Sequence, residues 1–458
     1  MNEQLITELS QNLNADQILT EDEDLCVYGY DGTAMLRGKP YCVLLPESSK
    51  QVQTILITAN KFGVPVVTRG SGTGLAGGSI PVENGIVVCM VRMNRILEVD
   101  EKNMVIQVEP GVLTQQIADQ VMSVGLFYPP DPGSIKISTI GGNVANNSGG
   151  LRGLKYGVTR DYVMALEVVL PDGRILLTGT KCVKDVAGFS LKDLFIGSEG
   201  MLGIITKITL KLIPEPSAKR TMLVLFDNMT EAAEAVSLII ENKIIPCTLE
   251  FLDRVTIECV EDYTAIGLPT DCEAVLLVEV DGHDVEVNEK AEQIVNLVRS
   301  KGAKDIRVAG SDSEAMNLAS ARRTAFSALA RLAPTVVLED ITVPRSKLAE
   351  MVQFINDTAA RFDLRVGTFG HMGDGNLHPT FLCDERNEKE MHRVEEAMCL
   401  VFDQAISLGG TITGEHGVGL AKKPFLPGQI GEIGIEIMRQ VKYSFDPKGI
   451  LNPGKVFD

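Results

Sequence analysis

The sequence holds five histidines, His283, His371, His378, His392 and His416. Three of them fall in two glycine-rich stretches, GTFGHMGDGNLHPTF (Gly367 to Phe381) and GTITGEHGVGLAKK (Gly410 to Lys423). Imidazole both ligates divalent transition metals and exchanges protons near neutral pH. An H-x6-H spacing brings two rings together when Met372 to Asn376 form a tight turn. A carboxylate from Glu415 would complete a three-ligand site with open positions, as catalytic metals require. His416 follows Glu415 directly. In a strand their side chains would diverge, but in a loop both can reach one site. Each histidine alone reads as a hydrogen-bonded structural residue; the pair with Glu415-His416 reads as a site. His283, in VDGHDVE, and His392, in a charged helix, read as surface residues.

A cation for a carboxylate is offered by NLASARRTAFSALARL (Asn317 to Leu332), which carries Arg322, Arg323 and Arg331. The guanidinium fork suits a planar carboxylate. A solvated helix face is the plainer reading, above all for Arg323 and Arg331.

The stretch VTRGSGTGLAGGS (Val67 to Ser79) contains a literal G-x-G-x-x-G at Gly72, Gly74 and Gly77. A Rossmann dinucleotide loop needs a helix directly after these glycines, because the helix N-terminus binds the pyrophosphate. Here Ser79, Ile80, Pro81 and the turn Asn84-Gly85 lead into another strand. What remains is a strand–loop–strand whose successive N–H groups can form an anion nest, with hydroxyls from Ser71 and Thr73. A tight turn is the plain alternative. Two more stretches share this composition. Tyr128 to Tyr156 is dense in Gly, Asn, Ser and Thr with little helix or strand signal, and loops that long are usually functional. The other is IGSEGMLGII (Ile196 to Ile205).

The elements that must position these residues follow from periodicity. Ser49 to Gly63 is a helix with a serine cap and a glycine stop. Strands are expected at Val64–Arg69, Ile86–Val91, Ile96–Val99 and Met104–Val108, and a helix at Thr114–Val124. Val163–Leu170 and Ile175–Leu177 form a hairpin, and Met201–Leu212 a long strand ending at PEPS. That proline-rich stop marks a domain boundary. Strand Thr221–Phe226, a helix from Thr230, strand Ala274–Val280 and a helix over 285–300 suggest a ferredoxin-like antiparallel sheet. Helix Ser346–Arg361, strand Leu364–Phe369 and helix Asn387–Ser407 continue it. The expectation is an α+β fold with domains at 1–215 and 216–410, and a glycine-rich, polar tail, 411–458, returning to the first domain.

The 458 residues include 45% hydrophobic and 23% charged side chains, ordinary for a soluble enzyme. A net charge of -18 argues against a nucleic-acid partner. Nine scattered cysteines without a C-x-x-C argue against a disulfide framework and against an iron–sulfur cluster in this chain. No apolar run reaches the roughly 18 residues of a membrane span. The N-terminus lacks the features of a secretory signal. A cytoplasmic chain is expected, with any membrane association through a partner.

Taken together, RGSGTGLAGGS, PPDPGS…TIGGNVANNSGG, GSEGMLGIIT and the two histidine stretches resemble the flavoproteins of the vanillyl-alcohol oxidase (PCMH-type) superfamily. The resemblance covers nearly the whole chain. It is closest to the branch of D-lactate dehydrogenase, the glycolate oxidase FAD subunit and D-2-hydroxyglutarate dehydrogenase. It implies a two-subdomain PCMH-type FAD-binding fold with a ferredoxin-like cap. It implies FAD, with the pyrophosphate on Gly70, Ser71, Gly72, Thr73 and Gly74. Further contacts would come from Ser134, Thr139, Gly141, Gly142, Asn146, Glu199, Gly203 and Ile205. Some relatives link the flavin to a histidine in the glycine loop; this loop has none, so non-covalent FAD is expected. The resemblance makes His371, His378 and Glu415 ligands of a divalent metal (zinc, iron or manganese), and His416 the catalytic base. Arg322 aligns with the family's substrate arginine, although Ala319 stands where a relative often has tryptophan. Asp340 and Pro344-Arg345-Ser346 match the family without an assigned chemistry. In the closing DPKGILNPGKVF, Asn452 either reaches the flavin ring or closes a turn.

The implied activity is oxidation of a small D-2-hydroxy acid, D-lactate first and glycolate second. The metal lowers the hydroxyl pKa, His416 takes the proton, and hydride passes to flavin N5. D-2-hydroxyglutarate would need a second cation, for which Lys422 or Lys423 remain candidates. Electrons would go to a protein partner, an electron-transfer flavoprotein or an iron–sulfur subunit. An oxygen-reactive oxidase and a non-catalytic FAD electron carrier are the alternatives of other classes.

Overall fold

The structure is a computed structural model that describes residues 2–33 and 35–457. The chain forms two compact units. The first comprises Met1–Ser148, Val158–Glu215 and Glu415–Asp458, the second Gly149–Gly157 and Pro216–Gly414.

Among the described residues the first unit contains a four-stranded sheet, a five-stranded sheet and a two-stranded pair. Strands β1 (Ile18–Leu19), β2 (Cys42–Leu44), β3 (Val66–Arg69) and β4 (Ile86–Cys89) lie in the order β1-β2-β4-β3, with β2, β4 and β3 mutually parallel. β2 and β4 are buried along their whole length, which is why the expected strand at β4 reads as an unbroken apolar run. Helix Ser49–Phe62 buries Val52, Ile55, Leu56 and Ala59 in this core, capped by Ser48 and ended by Gly63 in the left-handed conformation. Strands β5 (Ile96–Asp100), β6 (Val105–Val108), β7 (Leu126–Phe127), β8 (Val163–Val169), β9 (Ile175–Gly179), β10 (Ile204–Lys211) and β11 (Ile213–Pro214) follow. The second sheet is antiparallel, in the order β5-β6-β10-β8-β9, while β7 pairs with β11.

Two elements differ from expectation. The Tyr128–Tyr156 stretch, read as loop, holds a helix at Ile140–Asn146 and a single turn at Gly153–Tyr156. Gly141-Gly142 hid the first from any propensity argument; burial of Ile140 and Val144 stabilises it. The tail, read as glycine-rich return, holds a helix at Leu426–Phe445 that breaks its helical geometry at Gly431. Pro427, Gly428, Gly431 and Gly434 masked its period. Beyond it, Leu451 bridges Val66 in parallel, so the tail runs beside β3.

The second unit has one antiparallel sheet. Its strands are β12 (Ala218–Phe226), β13 (Thr248–Asp253), β14 (Ala274–Gly282), β15 (Asp305–Val308), β16 (Thr335–Leu338), β17 (Ile341–Thr342), β18 (Arg365–Gly370) and β19 (Asn376–Cys383). The order is β15-β12-β14-β13-β18-β19-β16, with β17 also on β19. β12 to β15, with helices Met229–Glu241 and Asp284–Ser300, form the strand–helix–strand–strand–helix–strand pattern of a ferredoxin-like sheet. Helix Arg254–Thr264 is inserted between its middle strands.

Unit boundaries depart from the expected 410/411 division because two buried acids hold backbone on the second unit's side. Asp281 accepts from Tyr156 Oη at 2.7 Å and pairs with Lys155, so Gly149–Gly157 packs with the second unit. Asp340 accepts from Thr413 Oγ1 at 2.7 Å and Gly414 N at 2.9 Å, so the division falls after Gly414. Among the described residues no helix is long and apolar enough to cross a membrane. Replacing Asp281 by alanine removes the carboxylate that Lys155 and Tyr156 share and leaves Lys155 the residue 281 carbonyl. The expected loss is about 2–4 kcal/mol of unfolding free energy, read from the denaturant midpoint. An unchanged midpoint would show that the excursion is held by packing alone.

Candidate functional site

The glycine stretch leaves β3 at Arg69 and returns as β4, with no helix between. Although the two strands are parallel, strand follows loop with no helix between, so the Rossmann order is absent. Gly72 takes φ +75°, and a Cβ there would strike the Arg69 guanidinium at 2.0 Å. A Cβ on Gly70 would lie 2.1 Å from Thr139 Oγ1, so the loop closes on the start of helix Ile140–Asn146. Among the described residues, the N–H groups of Ser71 to Leu75 donate no backbone hydrogen bond. Such a run of available donors fits the pyrophosphate of FAD.

Other residues expected at the flavin have visible internal tasks. Gly141 donates its N–H to Pro110 O at 2.8 Å. Ser134 O accepts from Ile137 N and Ser138 N. Thr139 Oγ1 caps its helix at Gly142 N. Gly203 leaves room for Val168, and Ile205 pairs with that residue across β10 and β8. Asn146 Nδ2 donates to the carbonyl of His416 at 3.4 Å. Glu199, buried and at φ +50°, accepts from Val418 N and Gly419 N, each at 2.8 Å. Burial raises the pKa of this carboxyl against the pull of those two N–H groups. Asn452 Nδ2 donates to Gly78 O at 3.1 Å and Glu199 O at 2.6 Å, and its Oδ1 accepts from Lys455 Nζ at 2.6 Å. Its amide therefore ties the tail to the glycine stretch.

The histidine stretch of the second unit is a hairpin. His371 follows β18, residues 372–375 turn, and His378 lies on β19. Gly375 takes φ +91° in this turn, and a Cβ on Gly370 would lie 2.4 Å from Asn376 O. Both histidines are buried, their ring centroids 5.4 Å apart and nearly perpendicular at 89°. His371 Nδ1 lies 2.7 Å from Glu250 Oε1, and His378 Nδ1 lies 3.3 Å from the Glu339 carbonyl. Acceptors on both Nδ1 atoms favour a proton there, the tautomer in which an imidazole ligates a metal through Nε2. Two imidazoles so oriented fit a divalent transition ion. Asp340, fully buried, accepts from Asn376 Nδ2 at 2.6 Å besides Thr413 and Gly414. It thus holds the two residues before Glu415. Glu415 and His416 open the last segment of the first unit, with His416 Nε2 3.8 Å from Glu415 Oε1.

The three arginines separate by burial. Arg331 is exposed, near Asp262 at 3.7 Å and over the Tyr263 ring. Arg323 is half-buried. Arg322 is 5% exposed, with its guanidinium 4.8 Å from the Phe369 ring centroid and Nε 2.6 Å from Glu250 Oε2. That close contact is an ion pair rather than an aligned hydrogen bond, and Arg322 Nη2 is buried without a hydrogen-bond partner among the described residues. Sequence reasoning missed Glu250. The signal was an acid in TLEFLD, a strand buried at every position.

Lys455 is fully buried, and burial pushes its ammonium down to about 8 from 10.5. Between those values the unfolded chain holds a proton that the folded chain lacks, so stability rises with pH across that window. The destabilisation is complete below 8 and amounts to about 3 kcal/mol. Lys455→Met is expected to flatten the rise when denaturation midpoints are compared from about pH 7 to about 10.5. Equal slopes in both proteins would refute it.

Comparison with known proteins agrees with this geometry. Residues 40–179 match the FAD binding domain family, and residues 215–456 match the FAD linked oxidases, C-terminal domain. The chain is 54% identical over 431 residues to the glycolate oxidase subunit GlcD of Bacillus subtilis (strain 168), covering 94% of this chain and 92% of that one. It is 36% identical to the D-lactate dehydrogenase of Anaerostipes hadrus, covering 98% and 94%. The structure of p-cresol methylhydroxylase with substrate bound superposes with a TM-score of 0.82 at 16% identity, covering 100% of this chain and 97% of that one, which shows a shared fold of the PCMH type. The chain belongs to the FAD-linked oxidases, as an oxidoreductase of the glycolate oxidase GlcD and D-lactate dehydrogenase type.

Proposed function

We propose that the protein dehydrogenates a small 2-hydroxy acid, glycolate or D-lactate, using non-covalent FAD and a divalent metal. The observation that carries this reading is the buried cluster of His371, His378 and Arg322. Two perpendicular imidazoles lie beside a guanidinium whose Nη2 is buried without a hydrogen-bond partner among the described residues. Neighbouring hydroxyl and carboxylate groups are the chemistry such a set recognises. The GlcD and D-lactate dehydrogenase relatives support the two substrates equally.

In this reading Ser71 to Leu75 hold the FAD pyrophosphate through backbone N–H groups. His371, His378 and Glu415 hold the metal. The bound groups supply a hydride acceptor and a Lewis acid that lowers the pKa of the substrate hydroxyl. Arg322 orients the carboxylate through Nη2. His416 takes the hydroxyl proton at Nε2, its backbone held by Asn146 and its following residues by Glu199. The product is the 2-oxo acid. The electrons then pass to a protein partner, an electron-transfer flavoprotein or an iron–sulfur subunit.

The test is anaerobic addition of glycolate, D-lactate or D-2-hydroxyglutarate to the purified flavoprotein, before and after chelation. Glycolate or D-lactate is expected to bleach the flavin band near roughly 450 nm, and chelation to prevent it. Bleaching that survives complete metal removal would eliminate the metal's role. No bleaching by any of the three would leave the non-catalytic carrier. Arg322→Lys is expected to raise KM by about tenfold to a hundredfold, because a point charge replaces a fork. A KM equal to that of the wild type would remove Arg322 from the substrate.

A further inference from the structure

Glu250 lies in the middle of the second unit's sheet and is fully buried. A carboxylate there costs several kcal/mol in desolvation unless its oxygens meet cations or donors. β13 and β18 pair antiparallel with Phe251 opposite Gly370 and Leu252 opposite Phe369. Continuing that register by one residue sets Glu250 across from His371, on the same face. Arg322 arrives from the last turn of helix Asp312–Arg323. The two carboxylate oxygens are divided between these neighbours: Oε1 lies 2.7 Å from His371 Nδ1, and Oε2 lies 2.6 Å from Arg322 Nε.

We propose that Glu250 is a positioning residue that joins the metal ligand His371 to the substrate anchor Arg322 and fixes the spacing between them. The inference rests on the reading of those two residues given above. By accepting the His371 Nδ1 proton, Glu250 sets the tautomer that turns Nε2 outward. By holding Arg322 at Nε, it leaves Nη2 as the group offered to an anion, with the Phe369 ring against the guanidinium. Metal and anion sites on opposite ends of one rigid carboxylate cannot drift apart. The spacing then selects acids whose hydroxyl and carboxylate sit on neighbouring carbons over those that separate them. A purely structural ion pair would stabilise the sheet without affecting metal affinity.

Glutamine in this position offers one acceptor oxygen and an amide NH2. It cannot accept from both His371 and Arg322, so Glu250→Gln breaks at least one arm at nearly constant volume. Zn2+ affinity is the first readout, by chelator competition on the flavin-loaded full chain. KM and kcat with glycolate or D-lactate are the second. Glu250→Gln is expected to weaken Zn2+ binding about tenfold to a hundredfold and to raise KM. Arg322→Lys is expected to raise KM while leaving Zn2+ affinity within about twofold of the wild type. Glu250→Asp keeps two acceptors and is expected to recover part of both losses. If Glu250→Gln does not fold, the Glu250→Asp comparison decides: reduced affinity for Zn2+ supports the coupling, and unchanged affinity overturns it. A folded Glu250→Gln that binds Zn2+ like the wild type, with only a lower melting temperature, also overturns it. Wild type without measurable Zn2+ affinity would overturn the metal reading itself and this coupling with it, an outcome distinct from a wild type that binds and a variant that binds equally.

Discussion

A carboxylate removed from water must be met by donors or cations, and much of this molecule is arranged around that requirement. Three of the buried acids bear on the candidate site. Glu250 lies between His371 and Arg322. Asp340 takes Asn376, Thr413 and Gly414. Glu199 takes the N–H groups of Val418 and Gly419. The chain is thus fixed at 413–414 by an acid of the second unit and at 418–419 by an acid of the first. The residues between those two fixed points are Glu415, His416 and Gly417. The carboxylate and imidazole with proposed chemistry sit where the backbone is held on both sides.

The same economy appears around the glycine stretch. Its glycines are required partly by close approach, Gly70 against Thr139 and Gly72 against Arg69. Among the described residues the N–H groups from Ser71 to Leu75 donate no backbone hydrogen bond, and the proposed reading gives them to the FAD pyrophosphate. Asn452 and Lys455 bring the far end of the chain onto this stretch. A Rossmann fold reaches a similar end differently, using a helix that follows the glycines in sequence. Here the nearest helix start, at Thr139, is remote in sequence and joins the loop only through folding.

Much of the fold was legible because burial imposes periods. β4, buried at every position, reads as a continuous apolar run, and helix Ser49–Phe62 carries cap, stripe and stop in order. Helices Ile140–Asn146 and Leu426–Phe445 were not legible, since glycines and prolines erase local propensity and tertiary contacts restore it. In the candidate site, His371 and His378 were visible through their scarcity and their glycine-rich setting. Glu250 was not visible, because an acid inside an apolar strand has meaning only once its partners across the sheet are known.

By itself the sequence determined the absence of a Rossmann order and the resemblance to PCMH-type flavoproteins, and it supplied the candidate residues from which a site is proposed. These depend on local spacing and motif order. Only the tertiary structure decided which of three arginines is buried beside the histidines, that Asp340 and Glu199 hold the chain on either side of Glu415-His416, and that Asn452 ties down the tail. Each of those depends on a distance between residues far apart in the chain, and spacing along a sequence carries no information about such a distance until strand register and packing set it.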